Sequence, residues 1–231
     1  AFMNGANDSG TMAASVVGSR AFEPRTAVLV GAVAAFVGAI VFGSAVARTL
    51  GEGLINLDRV PVSHGAPSAC IAAALAAILW GSVAWKFGLP GSYTHSLLGG
   101  WLGAFVGLGG PGAVRWGNAA LVLAAVLLTP LLGFLVAWAA MRLFNRLAAE
   151  LSIQTKWIFR LLETCAYMAM SLAHGANAAQ KSMALLVLAG LSYGRSETLP
   201  VVFALPAWIR VICAGAFALG RVPGFTRGGQ L

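Results

Sequence analysis

Asp8 is the residue whose chemistry is hardest to explain away. It lies in an apolar stretch, residues 1–19, that is interrupted by Asn4, Gly5, Asn7, Asp8, Ser9 and Gly10. An ionisable side chain inside a membrane span is costly and faces a partner or a water-filled cavity. Gly5 and Gly10 let the helix unwind on either side of it, and a carboxylate beside freed carbonyls suits Na⁺ or a proton. The plainer reading is that the span starts later and Asp8 caps it in water.

Two further constellations invite a chemical reading. Ser92-Tyr93-Thr94-His95 follows Pro90-Gly91, and hydroxyls with free amides at a helix start offer neutral donors to an oxyanion. An ordinary N-cap after a proline turn explains the same residues. His174 is either a proton carrier or a histidine bonded within a helix break. Lys181 either attracts an anion or snorkels to the interface. Cys70, Cys165 and Cys213 stand far apart in apolar stretches and read as small core residues, not as a disulfide set or metal cluster. With no nucleophile–base pair and no metal cluster, an enzyme is not expected.

The elements that must carry these residues follow from composition. Of 231 residues, 59% are apolar and 10% are charged, where a soluble domain has about 25% charged. Mean hydropathy is +0.83. The net charge of +8 comes from 15 Lys and Arg that punctuate uncharged runs; they form no basic patch, so nucleic acid is not an expected partner. Those runs count 22 residues between Arg25 and Arg48, 21 between His64 and Lys86, 28 between Lys86 and Arg115, and 26 between Arg115 and Arg142. About 20 apolar residues cross a bilayer, so the chain is all-α and polytopic, with the lipid bilayer as its solvent.

Spans are expected at Thr26–Ala47, Ala69–Trp85, Asn118–Met141 with a kink at Pro130, Leu161–Leu191 and Leu199–Leu219. Residues 1–19 read as the second half of a span, with no signal peptide. Lys86 to His95 breaks the helical pattern as a re-entrant hairpin would. Arg142, Arg146, Lys156 and Arg160 make a basic connector, cytoplasmic by the positive-inside rule. The seven Trp read mostly as interfacial anchors. Gly5-Ala6-Asn7 recurs as Gly175-Ala176-Asn177, 170 residues later, each copy breaking an apolar stretch ahead of a charged connector: Arg20, Glu23 and Pro24, then Arg195, Glu197 and Pro200. Duplicated, interrupted spans are the best sequence pointer to a carrier's binding site. The organisation expected is a first repeat at 1–147, a connector at 148–160 and an incomplete second repeat at 161–231.

These motifs resemble those of the inorganic phosphate transporter (PiT) family. Gly5-Ala6-Asn7-Asp8-Ser9-Gly10-Thr11 with Val17-Gly18-Ser19 is similar to its first signature. Pro90-Gly91-Ser92-Tyr93-Thr94-His95 is similar to its Pro-x-Ser-Thr-Thr-His loop, and His174-Gly175-Ala176-Asn177-Ala178-Ala179-Gln180-Lys181 to its second signature. The resemblance implies an inverted-repeat transporter with broken helices and a re-entrant hairpin, carrying phosphate with Na⁺ or H⁺ and needing no other cofactor. Asn7, Ser92, Thr94, Asn177 and Gln180 would contact the anion. Asp8, with Asn7 and Asn177, would hold Na⁺. Thr11, Tyr93, His174 and Lys181 complete the motif positions.

The departures are specific. Ala178 stands where the family has its second Asp, Thr11 where it has Asn, and Tyr93 where the loop has Thr. One acid fewer implies fewer Na⁺ per phosphate, or coupling to H⁺. Glu163 lies eleven residues before His174, about 16 Å along a continuous helix, too far to substitute. Against the family pattern the chain looks short at both ends, since a second loop copy would fall past Leu231. A sulfate permease on the same scaffold and a non-transporting anion sensor, or a carrier fragment, are the alternatives. A bacterial cytoplasmic membrane is the expected location, and a homodimer is kept open.

Overall fold

A computed structural model describes residues 1–42, 44–60, 65–87, 89, 91–148, 156–191 and 205–228. Eight α-helices occur among them: α1 (Phe2–Gly18), α2 (Pro24–Val41), α3 (Ala45–Arg48), α4 (Gly65–Phe87), α5 (Tyr93–Gly109), α6 (Trp116–Ala148), α7 (Lys156–Leu191) and α8 (Ala207–Gly228). Of these, α2, α4 and α6 are long and apolar enough to cross a membrane. The second charged connector, with Arg195, Glu197 and Pro200, lies outside the described residues, as do Pro90 and 149–155. The basic connector is helical from Lys156 onward, where α7 begins.

Local chemistry sets the boundaries. Pro24 opens α2 behind an extended Glu23, the position where its missing N–H costs nothing. The α1–α2 turn passes through Arg20 at φ 62°, and Val16 O accepts from both Ala21 N and Phe22 N. Gly110, at φ 71°, closes α5 and donates its N–H to Val106 O; a left-handed residue there favours glycine. The expected span to Ala47 stops at Val41, because the chain turns at Phe42 before α3 and a π-helical turn at Thr49–Gly53. Of the expected Leu199–Leu219 span, residues 199–204 lie outside the described residues, and α8 starts after Pro206 and runs on past Arg221.

The two expected helix breaks are absent. α1 runs unbroken through Gly5 to Gly10, and α7 runs unbroken through His174 to Asn177. The glycines serve close packing instead. A Cβ on Gly5 would strike the carbonyl of Phe217, and one on Gly220 the carbonyl of Phe2, so α1 and α8 interlock reciprocally. Gly38 and Gly175 do the same for α2 and α7, against the backbones of Leu172 and Ala35. Small residues permit such approach between membrane helices. A continuous helix also keeps every backbone group bonded, which hydrocarbon demands.

α4 packs on α5, and α2 also meets α8. An isolated bridge between Ile55 and Val114 ties the connector after α3 to the one after α5, with Asn118 Nδ2 donating to Gly53 O at 2.7 Å. Trp101 departs from the interfacial role: it is fully buried, 5.6 Å from the Phe105 ring. Cys165 is exposed, unlike Cys70 and Cys213. α6 has Ala119 as its one buried residue.

Candidate functional site

The two repeated motifs send polar side chains toward one another from α1 and α7. On α7, His174, Asn177 and Lys181 follow at three- and four-residue steps and share a face. On α1, Asn4, Asn7, Asp8 and Thr11 do likewise. Where the helices cross, His174 Nε2 and Asp8 Oδ2 stand 3.0 Å apart. His174 Nδ1 faces Arg221 Nη1 at 3.5 Å, and its ring meets Phe217 edge-on at 5.2 Å. A guanidinium only donates. Nδ1 is therefore the acceptor, and Nε2–H donates to the Asp8 carboxylate.

The start of α5 lies between these helices. Asn7 Nδ2 donates to Gly91 O at 2.8 Å, and Lys181 Nζ donates to Thr94 Oγ1 at 2.7 Å. Ser92 caps α5, its Oγ accepting from His95 N at 3.4 Å. One helix N-terminus, a hydroxyl and an ammonium thus converge. That combination attracts an anion through dipole, hydrogen bonds and charge together. Thr94, His95, Asn177 and Lys181 border a cavity of about 510 Å³, walled otherwise mostly by apolar side chains of α5 and α6 such as Trp101 and Val126. Asn177 also borders a second cavity of about 500 Å³ beside Phe42 and Leu172. Asp8 and His174 border neither, so the carboxylate–imidazole pair forms a separate centre one turn along α7.

The remaining expected contacts go elsewhere. Gln180 is buried, its Nε2 donating to Phe42 O at 2.6 Å and its Oε1 accepting from Val46 N at 2.9 Å. It joins the orphan carbonyl at the end of α2 to an orphan N–H of α3, and it also borders the second cavity beside Asn177. Tyr93 packs with Ala77 and Leu97 against Gly81, outside the cavity. Thr11 is exposed. Ala178 is buried in the main core.

A consequence can be checked for Gln180. Gln180→Leu is expected to cost roughly 2 kcal/mol of stability, from two bonds of about 1 kcal/mol each, while affinity for an oxyanion stays within about twofold. Thermal unfolding and equilibrium binding measure both. A large affinity loss at unchanged stability would return Gln180 to the anion site.

Arg221 escaped notice in the sequence because it follows the last apolar run and reads as part of a polar tail. The signal was present: Ile209, Cys213, Phe217 and Arg221 recur every fourth residue, and all four are buried. Asn4, also buried, has an unpaired Nδ2, and the buried Ser9 and Ser171 hydroxyls are unpaired too.

A family model described as the phosphate transporter family matches residues 4–227. A Rhizobium meliloti (strain 1021) protein named "Probable low-affinity inorganic phosphate transporter" is 32% identical over 224 residues, covering 96% of this chain and 65% of the relative. A Mycobacterium tuberculosis (strain ATCC 25618 / H37Rv) protein of the same name is 34% identical over 228 residues, covering 96% of this chain and 52% of the relative. The chain therefore spans about half to two thirds of the length of these relatives. A solved structure titled "The sodium-dependent phosphate transporter" superposes with a TM-score of 0.82 at 20% identity, covering all of this chain and 75% of that one. That likeness establishes the helical membrane-protein fold.

Proposed function

We propose, because the chain belongs to the phosphate transporter family, that it carries inorganic phosphate across a membrane by secondary transport, coupled to Na⁺ or H⁺. The observation that carries the reading is the meeting of Lys181, Thr94 and the α5 N-terminus on the wall of a cavity that Asn177 also borders. Phosphate oxygens would accept from Lys181 Nζ, the Thr94 hydroxyl, the Asn177 amide and the first N–H groups of α5. Asp8, one turn away and bonded to His174, is the coupling acid. Asn7 holds the α5 entry against α1 and so positions the donors.

The reciprocal packing of α1 on α8 and α2 on α7 supports two intertwined repeats, 1–147 and 161–231, joined through a cytoplasmic connector at 148–160. Several of the named relatives are bacterial, which supports a bacterial cytoplasmic membrane as the location. Uptake of labelled phosphate into proteoliposomes, under an imposed Na⁺ or H⁺ gradient and with sulfate as competitor, tests the reading. Gradient-driven accumulation that excess sulfate leaves intact is the expected result. Absence of both phosphate uptake and phosphate binding would overturn it, and accumulation of sulfate in its place would shift the substrate.

The two hydroxyls at the α5 start are expected to separate. Thr94→Ala removes a group already held by Lys181, and phosphate affinity should fall by roughly 1–3 kcal/mol, the worth of hydrogen bonds to a charged group. Ser92→Ala removes a cap and should cost stability, about 1 kcal/mol, with a smaller effect on affinity. Equal affinity losses in both variants would show that Ser92 contacts the anion as well.

A further inference from the structure

Arg221 is a charge with no obvious reason to be where it is. Its side chain is 1% exposed, enclosed by α1, α2, α7 and α8. Nη1 lies 3.5 Å from Met12 Sδ and 3.5 Å from His174 Nδ1, and Nε has no partner. The notch at Gly31 receives the other end of the guanidinium: a Cβ there would stand 2.9 Å from Arg221 Nη2, and it would also strike the Tyr167 hydroxyl. Space on three neighbouring helices is shaped around this one cation.

A buried charge is tolerated when it is paired or when it serves a site. Among the described residues no carboxylate stands in ion-pair range of Arg221. The four helices around it carry two acids, Asp8 and Glu163. Glu163 lies one turn before Tyr167 on α7 and forms no ion pair with Arg221 among the described residues. Asp8 is one imidazole away, bonded to the opposite nitrogen of the ring that Arg221 faces. The arrangement is a line: carboxylate, neutral imidazole, guanidinium. The fixed charges along it and the neighbouring Lys181 are one negative and two positive, which leaves one net positive charge beside the anion cavity before any ion arrives.

We propose that Arg221 supplies, as a fixed part of the protein, the positive charge beside Asp8 that a coupling Na⁺ would otherwise supply, so that this site takes a phosphate anion without Na⁺. The inference rests on the phosphate reading above and narrows it. An acid already balanced through His174 has little pull left for an alkali cation. The net positive charge needed for an oxyanion is built in. Arg221 is a positioning and charge-setting residue, since it touches His174 and not the cavity.

The test is equilibrium binding of labelled inorganic phosphate to the full chain in detergent, in NaCl and in choline chloride at equal ionic strength. The wild-type chain is expected to bind equally in the two salts, within about threefold. Arg221→Gln is expected to bind at least tenfold more weakly in choline chloride and to recover in NaCl, while Arg221→Lys keeps Na⁺-independent binding. Ala178→Asp, which adds a second carboxylate one turn from His174, is expected to become Na⁺-dependent and serves if Arg221→Gln does not fold. Wild-type binding that falls tenfold or more without Na⁺ overturns the proposal. So does Arg221→Gln binding that matches wild type in choline chloride, or that is lost in both salts from a folded protein. Absence of phosphate binding by the wild type in either salt strikes the phosphate reading itself, which keeps the two failures apart.

Discussion

Asp8→Asn should abolish gradient-driven phosphate uptake while sparing phosphate binding. The carboxylate accepts from His174 Nε2 at 3.0 Å and is the one acid on α1. The neutral amide keeps the shape and can still accept a hydrogen bond, but it can no longer take up a proton or balance Arg221 through the ring. The side chain is 37% exposed, so the bond to His174 itself contributes little to stability, and the expected loss is of the ionisable group and not of the fold. Removing a negative charge also makes the neighbourhood more attractive to an anion, so affinity should hold or rise. Uptake under an imposed ion gradient, measured beside equilibrium binding, checks both halves. Undiminished uptake in the variant would mean that the coupling ion binds elsewhere.

Gly175→Ala should be among the most destabilising of the alanine substitutions at the described glycines. The added Cβ would overlap the backbone of Ala35, and backbone cannot rotate out of the way as a side chain can. α2 and α7 would have to separate, undoing contacts along two long helices. Overpacking costs about 1–3 kcal/mol, occasionally more, and this site belongs at the upper end. Gly133→Ala on α6 is the control, because nothing lies near its Cβ position and alanine favours a helix by about 1 kcal/mol over glycine. Thermal unfolding of the two variants in the same detergent should show a large drop in Tm for the first and none for the second. Equal behaviour would remove the close crossing and restore an unwound segment at Gly175.

The same glycine shows where inference from sequence went astray. Gly5 and Gly175 stand out in the sequence, but glycine has two uses, a backbone that bends and a surface that admits another backbone. Only the neighbouring helix distinguishes them. Gln180 shows a similar ambiguity: an amide inside an apolar run must find partners, and whether those are an anion or the main chain at Phe42 and Val46 depends on a contact 134 or more residues away. Arg221 was missed for a third reason. The length of α8 beyond the apolar run is set by packing on α1, and an exposed tail and a buried turn look alike in one dimension.

What the amino-acid order determined by itself is the class of molecule. Charge-free runs longer than a bilayer is thick leave helices as the only way to satisfy the backbone, and three ordered motifs at matched positions point to one family of carriers. The polar residues worth watching, among them Asp8, Thr94, His174 and Lys181, were legible as polar groups in apolar surroundings. The tertiary structure alone decided how they are joined: Asp8 to His174, Lys181 to Thr94, and Arg221 to the imidazole that separates it from Asp8. The reason is physical. The cost of a polar group in hydrocarbon is a local property that any stretch of sequence reveals, whereas the partner that offsets the cost comes from a distant helix, at an azimuth set by which small residues let the backbones touch.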